Sequence, residues 1–414
     1  MSELISNALW KLFLLSWDMA PFWAPVVLVV VAWNIWLHYI RVNHISNIEW
    51  VTVEIKLPKE ITKTPLAMEL FLNALYQRGM TATFIDLWWH GNLVPWFSLE
   101  LVSINGQVKF MITMQKFFKK IVETQIYAQY PNVEIHEVED YTKNVNYGQP
   151  GSDWQMWGGE FKLTKADPYP IKTYVDYGLD KEGLKEEYKI DPITPVLEYL
   201  GSAGKDEQIW IQIMVRRTID RFPEPGSLFA KRGWVKEGKD LVNTLMKNAS
   251  KQSSKRTSQK PSDSSFQADV ITTREKDVIT AIERGLSKHG FDCGIRGIYL
   301  AKKDIFNPVN IVGLVGSIRQ YNTEDLNGFA PTRTTGTDYP WQDYKNIRVS
   351  SMKAKMFDAF RRRSYFYWPY PRKPFVLNTE ELATIYHFPG RVAETPSFER
   401  VEAKKVEPPT NLPI

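Results

Sequence analysis

The chain has 414 residues, 43% hydrophobic and 24% charged, enough for more than one packed core by size. Its single cysteine, Cys293, excludes intramolecular disulfides and cysteine-cluster zinc or iron–sulfur centres. A net charge of +5 permits anionic partners without requiring them.

No residue from Met19 to Ile40 is charged. As a helix rising about 1.5 Å per residue, that run reaches roughly 33 Å, the thickness of a bilayer's hydrocarbon core. Trp23, Trp36 and Tyr39 are placed to anchor it at the interfaces. The run is long, starts late and follows no basic region, which favours a membrane span over a cleaved signal peptide or a buried helix. Residues 4–17 are also apolar and read as an interfacial helix. Arg41, Lys56 and Lys59 lean toward a cytoplasmic C-terminal region. The anchor is thus residues 1–45 with its span at 19–40, and the expected location is the plasma (inner) membrane, single-pass, with the lipid bilayer as first partner.

Residues 48–142 follow the pattern of an α+β domain. Val51, Val53, Ile55 and Leu57 alternate with polar residues, as in a half-buried strand. Thr64 and Pro65 open a helix that Gly79 can close. Asn105-Gly106 marks a hairpin between alternating runs at 97–101 and 108–112. A helix stopped by Pro131 and a strand at Val133 and Ile135 complete a β-α-β-β-α-β order, the ferredoxin-like (split βαβ) pattern.

Residues 155–330 repeat that order loosely and read as a diverged second copy. Strands are expected at Phe161–Leu163, Ile209–Val215 and "CGIRGIYL", with helices at "DPITPVLEYLG" and after the capping box of Thr272 and Glu275. The polar run 248–267 reads as a disordered insertion.

A search for chemistry returns little. "YLGSAGKDE" lacks the first glycine of a phosphate loop and has Asp206 where a hydroxyl belongs, so it reads as a turn. None of the six histidines stands at a zinc-ligand spacing with another ligand. No Gly-x-Ser-x-Gly elbow occurs, and Cys293 has no basic partner in the sequence. The expectation is therefore of no enzymatic activity, no metal and no cofactor.

Two stretches stand out near the C-terminus. In the basic and aromatic segment 331–374, "RRRSYFYWPYPRKP" gathers Arg361, Arg362, Arg363, Arg372 and Lys373 around Tyr365 and Trp368. Guanidinium groups meet phosphates and exposed aromatics stack on bases, so DNA is one reading. Packed aromatics with snorkelling arginines, or a partner contact, is the other. In 375–414, Asn378 and Glu381 form a capping box for a short helix that Pro389 ends. Its stripe of Leu382, Ile385 and Tyr386 is too short to be stable alone and must dock on something.

These last stretches also carry a resemblance. "PWQDYKNIRVSSMKAKMFDAFRRRSYFYWPYPRKPF", "FVLNTEELATIYHFPG" and "VEAKKVEPPTNLP" resemble the segment upstream of the motor in membrane-anchored FtsK/HerA-like and type IV coupling-protein-like translocation ATPases. The resemblance covers residues 340 to 413; the anchor and α+β body match only in general layout. In such relatives a P-loop motor comes next, and none is legible by Ile414. The resemblance therefore implies a non-catalytic accessory subunit of a type IV secretion- or conjugation-like machine, with an FtsK/HerA-like ATPase supplied in trans. On that expectation Leu382, Ile385 and Tyr386 form the docking stripe, and self-association into a homo-oligomer stays open. The alternative is a membrane-tethered nucleic-acid-binding module without a motor.

Overall fold

The computed structural model describes residues 10–11, 17–58, 61, 63–76, 83–148, 151–180, 190–224, 231–257, 272–337, 339, 341 and 343–390. Most of the expected interfacial helix at 4–17, Gly79, the second half of the polar run 248–267 and the tail from 391 lie outside the described residues. The described chain forms two compact units, Met1–Glu49 with Gly79–Val94, and Trp50–Arg78 with Pro95–Ile414.

The first unit is built on helix α1 (Ala20–Ser46), 27 residues long and the one described helix long and apolar enough to cross a membrane. It starts one residue after the uncharged run begins and continues six residues past it, through Arg41 and His44. Asn34 donates from its side-chain amide to the Val30 carbonyl at 2.7 Å, within its own helix.

The second unit begins with β1 (Trp50–Lys56) and α2 (Pro65–Leu75); the first unit then takes back the short helix α3 (Phe84–Trp88). The second unit resumes with β2 (Trp96–Ile104), β3 (Gln107–Gln115), α4 (Lys119–Gln129), β4 (Glu134–Val138) and β5 (Trp154–Leu163). Next come α5 (Thr194–Gly201), β6 (Glu207–Arg217), the ribbon β7 (Phe222–Pro223) and β8 (Lys231–Arg232), α6 (Trp234–Thr257) and α7 (Thr273–Leu286). It closes with β9 (Gly290–Lys302), α8 (Val309–Arg319), β10 (Phe329–Thr332), α9 (Ile347–Arg361), β11 (Phe375–Asn378) and α10 (Thr379–Ile385). The fold class is α+β.

Apart from the separate β7-β8 ribbon, the described strands form one antiparallel sheet in the order β10-β5-β9-β6-β2-β3-β1-β4, with β11 also paired to β9. The order reads the same from both ends. Within the first half the strands lie as fourth, first, third, second, and within the second half as second, third, first, fourth from the centre outward. The halves meet where β2 pairs with β6, from Trp96↔Arg216 to Ile104↔Gln208. The boundaries expected between 48–142, 155–330, 331–374 and 375–414 therefore divide a single sheet. The Asn105-Gly106 hairpin forms as expected, with positive φ at both residues, and a methyl at Gly106 would lie 2.7 Å from the Ala203 carbonyl oxygen.

Period-two alternation sends each strand's side chains to two cores. Leu99, Leu101, Ile112, Ile211, Ile213, Ile295 and Tyr299 pack under α2, α4, α5, α8 and α10. Val102, Met111, Met156, Trp210, Ile298 and Leu300 meet Met356, Phe357 and Phe360 of α9 on the other face. Thr272 caps α7 through the expected box with Glu275, while "GSAGKDE" is a turn in which Glu207 accepts the Gly204 N–H at 2.8 Å. The polar run expected to be disordered is helical up to Thr257, as the end of α6.

Candidate partner interface

The basic and aromatic segment turns out to be a strap over the sheet's second face. Four polar residues stand in a row on neighbouring strands: Glu160 opposite Arg296, Arg296 opposite Gln212, and Gln212 opposite Glu100. All four are buried. Such a row is tolerable only if every member finds partners. The strap supplies most of them, leaving Gln212 Oε1 and the Nε and Nη1 groups of Arg296 without a hydrogen bond. Arg363 donates through Nε to Glu100 Oε1 at 3.1 Å and through Nη2 to Glu100 Oε2 at 3.3 Å and Asp140 Oδ1 at 3.1 Å. The Phe360 carbonyl accepts from Gln212 at 3.3 Å, the Ser364 carbonyl accepts from Arg296 at 2.7 Å, and Arg372 donates to Glu160 at 3.1 Å. Tyr141 donates to the second Glu100 oxygen at 2.9 Å.

The electrostatics result from that geometry. Burial opposes the charge on Arg363, but Glu100 and Asp140 outweigh it and raise its pKa. Burial likewise works against the Asp140 carboxylate, and its bonds to Arg363 and Thr142 still hold its pKa below the usual value. Arg296 has less company: burial brings its pKa down to about 10. Its guanidinium lies over the Tyr365 ring, 5.2 Å from the centroid. That ring in turn covers Gly294, where a methyl would come within 2.1 Å of it; only glycine leaves the space.

Of the residues expected to touch DNA or a partner, Arg363 and Tyr365 are therefore buried structural members, and Arg372 is tied to Glu160. Arg361 and Arg362 are half-exposed and both pair with Asp358, at 3.1 and 2.8 Å. Trp368 and Lys373 remain at the surface. The segment does not present one continuous basic face, because its charges are divided between the row beneath it and Asp358.

The docking stripe needs the larger correction. Leu382, Ile385 and Tyr386 do dock, but inside this chain: they are 0%, 5% and 0% exposed. Every residue of α10 is buried, including its polar face. Glu380 pairs with Arg284 at 3.1 Å and Lys288 at 2.8 Å. Thr379 donates to Glu69 at 3.3 Å, and Thr384 accepts the Tyr174 N–H at 2.9 Å. Glu381 completes the capping box and also accepts the Ile171 N–H at 2.9 Å. His387 bridges the Ala383 carbonyl and Asp191, at 2.8 and 3.0 Å. A stripe is then no guide to what the helix meets, since no face of it reaches solvent.

Burial pushes Glu381 from an ordinary 4.5 up to about 8. Between those values the folded chain keeps a proton that the unfolded chain has shed, so this contribution is complete below 4.5 and is lost as the pH rises through about 8. Glu381→Gln, which has no proton to lose, is expected to be less stable than the parent at pH 5, with the gap narrowing by pH 8. Urea unfolding across that range measures it; parallel curves would mean that the carboxylate is already ionised in the fold.

A cluster that sequence reasoning did not single out is exposed instead. Tyr339, Trp341, Tyr344 and Ile347 are 51%, 79%, 78% and 65% exposed, and the Tyr339 and Trp341 rings stack 4.7 Å apart. Buried Asp343 holds the turn by accepting the N–H groups of Arg348 and Val349 at 2.8 and 2.7 Å. Lys345 and Asn346 both take positive φ, which costs side-chain-bearing residues energy. The signal was present in "YPWQDYKNI", where aromatics crowd a loop before a helix instead of a strand.

Among the described residues no three His, Cys, Asp or Glu side chains gather as metal ligands. Cys293 is fully buried, which drives its thiol pKa well up. A family model described as a domain of unknown function, DUF8128, matches residues 41–400. The chain belongs to the DUF8128 family. No curated protein matches it. The DUF8128 match begins at Arg41, the residue after the uncharged run, and takes in the whole sheet, the strap and α10.

Proposed function

We propose that this chain is a single-pass scaffold of the plasma (inner) membrane, held by α1, with its DUF8128 domain in the cytoplasm. Its role on this reading is non-catalytic: it positions a P-loop motor of the FtsK/HerA class in a type IV secretion- or conjugation-like translocation machine. The observation that carries the reading is the exposed cluster of Tyr339, Trp341, Tyr344 and Ile347. It lies at the start of the stretch that resembles the motor-proximal segment of such ATPases, and the strap, β11 and α10 beyond it are consumed by the fold. Large aromatics at a fixed turn are the usual anchors of a protein interface. The nucleic-acid reading draws less support, because Arg363 and Arg372 are committed to Glu100, Asp140 and Glu160.

A photo-crosslinking amino acid placed at Trp341 or Tyr344 in cells tests it. The expected adduct contains a P-loop ATPase, identified by mass spectrometry. Adducts with nucleic acid would favour the tethered module. Adducts between copies of this chain alone, or none, would remove the motor from the account.

A further inference from the structure

The first unit contains more than an anchor. After α2 the chain leaves the sheet domain, and residues 83–94 form a compact turn against α1 before β2 begins. The Trp88 ring stacks on Trp33 at 5.6 Å, the Trp89 ring meets Trp36 at 5.5 Å, and the Trp36 indole N–H donates to the Trp88 carbonyl at 3.2 Å. Gly91 takes a positive φ and comes so close that a methyl there would sit 2.8 Å from the Ile40 carbonyl. The contacts to α1 thus run from Trp33 to Ile40, the last two turns of the uncharged run. At about 1.5 Å per residue this is roughly its final 10 Å.

Whatever packs there shares the depth of those residues. The turn's outer surface suits that depth: Phe84, Ile85, Leu87 and Trp89 are 70%, 60%, 39% and 62% exposed. Four large apolar side chains within six residues would be a costly surface in water. Much of the turn's backbone pairs internally, with the Leu87, Trp89, His90 and Asn92 N–H groups donating to Thr83, Ile85, Ile85 and Asp86 carbonyls at 2.9–3.2 Å. Such pairing lowers the cost of placing a segment in a water-poor layer. The side chains of Thr83 and His90 both bond to the Asp86 carboxylate.

We propose that residues 83–92 are a second membrane element. They form a wedge in the bilayer leaflet on the C-terminal side of α1, with Phe84, Ile85, Leu87 and Trp89 in contact with acyl chains and glycerol groups. Its occupant is lipid because its apolar surface is continuous with the lipid-facing surface of α1. The proposal rests on α1 being a span. The wedge would pin the rotation of that helix, with Trp33 and Trp36 turned toward it.

The test uses the full chain in vesicles of phosphatidylcholine and phosphatidylglycerol, with a fluorophore on a cysteine placed at Ile85, Trp89, Val29 or Lys162. Native Cys293 is fully buried and stays in place. Labels at Ile85 and Trp89 are expected to lose most of their emission to lipid spin-labelled near the top of the acyl chain and little to aqueous iodide. The Lys162 label should show the reverse. Iodide quenching at Ile85 and Trp89, with Val29 still quenched by lipid, would overturn the wedge and leave the span intact. Shielding from both quenchers would overturn it in favour of a protein contact. Loss of lipid quenching at Val29 itself would bring down the span, and the wedge with it.

Discussion

Arg363→Ala is expected to destabilise the domain by about 3–5 kcal/mol, the usual cost of removing one partner from a buried ion pair. The loss arises in the residues left behind. Glu100 is 0% exposed, and without the guanidinium it keeps only neutral partners, Tyr141, Gln212 and Ser98. Its charge would then have to be neutralised by a proton or hydrated by opening the strap. Arg361→Ala and Arg362→Ala, which remove half-exposed pairs with Asp358, are expected to stay within about 0.5 kcal/mol of the parent. Urea unfolding of the three variants separates the cases. A second signature is the acid limb. Asp140 has a lowered pKa in the fold, so its contribution is present above the ordinary 3.8 and is lost as the pH falls through the folded value. Arg363→Ala should flatten that limb. Equal stability of all three alanine variants would mean that the strap is not seated on the polar row.

Tyr386→Ala is the second substitution with a large expected effect, about 3–5 kcal/mol by analogy with other buried aromatics cut back to alanine. The side chain is wholly buried, meets Phe110 edge-on at 5.7 Å and donates to the Met111 carbonyl at 3.2 Å. Cutting it back leaves a cavity and removes that hydrogen bond. The measurement also discriminates between two roles for α10. If the helix gripped another protein, Tyr386→Ala would leave the urea midpoint in place and abolish only the association. As an internal element it should shift the midpoint strongly.

Much of the sheet was legible because its strands alternate. β1, β3 and β6 show odd and even positions of different character, and Asn105-Gly106 can hardly be anything but a hairpin. The joint between the halves left no such trace. β2 and β6 pair across more than a hundred residues, and nothing local in either strand names its neighbour. The polar row was hidden for a related reason. Glu100, Gln212, Arg296 and Glu160 occupy the alternate positions that a half-buried strand would turn to solvent, and only the strap, distant in sequence, buries them. The same distance explains why the arginines looked available: a run of guanidinium groups reads as a surface until the carboxylates facing it are known. For α10 the capping box is legible in the sequence and the helix forms, but a seven-residue helix in the middle of a core has no outer side for periodicity to report.

The mirrored strand order also bears on how this polypeptide avoids clumping. Cut apart, either half would bare a long apolar ledge, nine residues of β2 or eleven of β6, the kind of open rim that recruits strangers and seeds fibres. Joined, each half silences the other's hazard, and the sheet's outer margins fall to β4 and β10, only five and four residues long. Each half thus serves as chaperone to the other, fused in tandem so that the protective partner is always at hand.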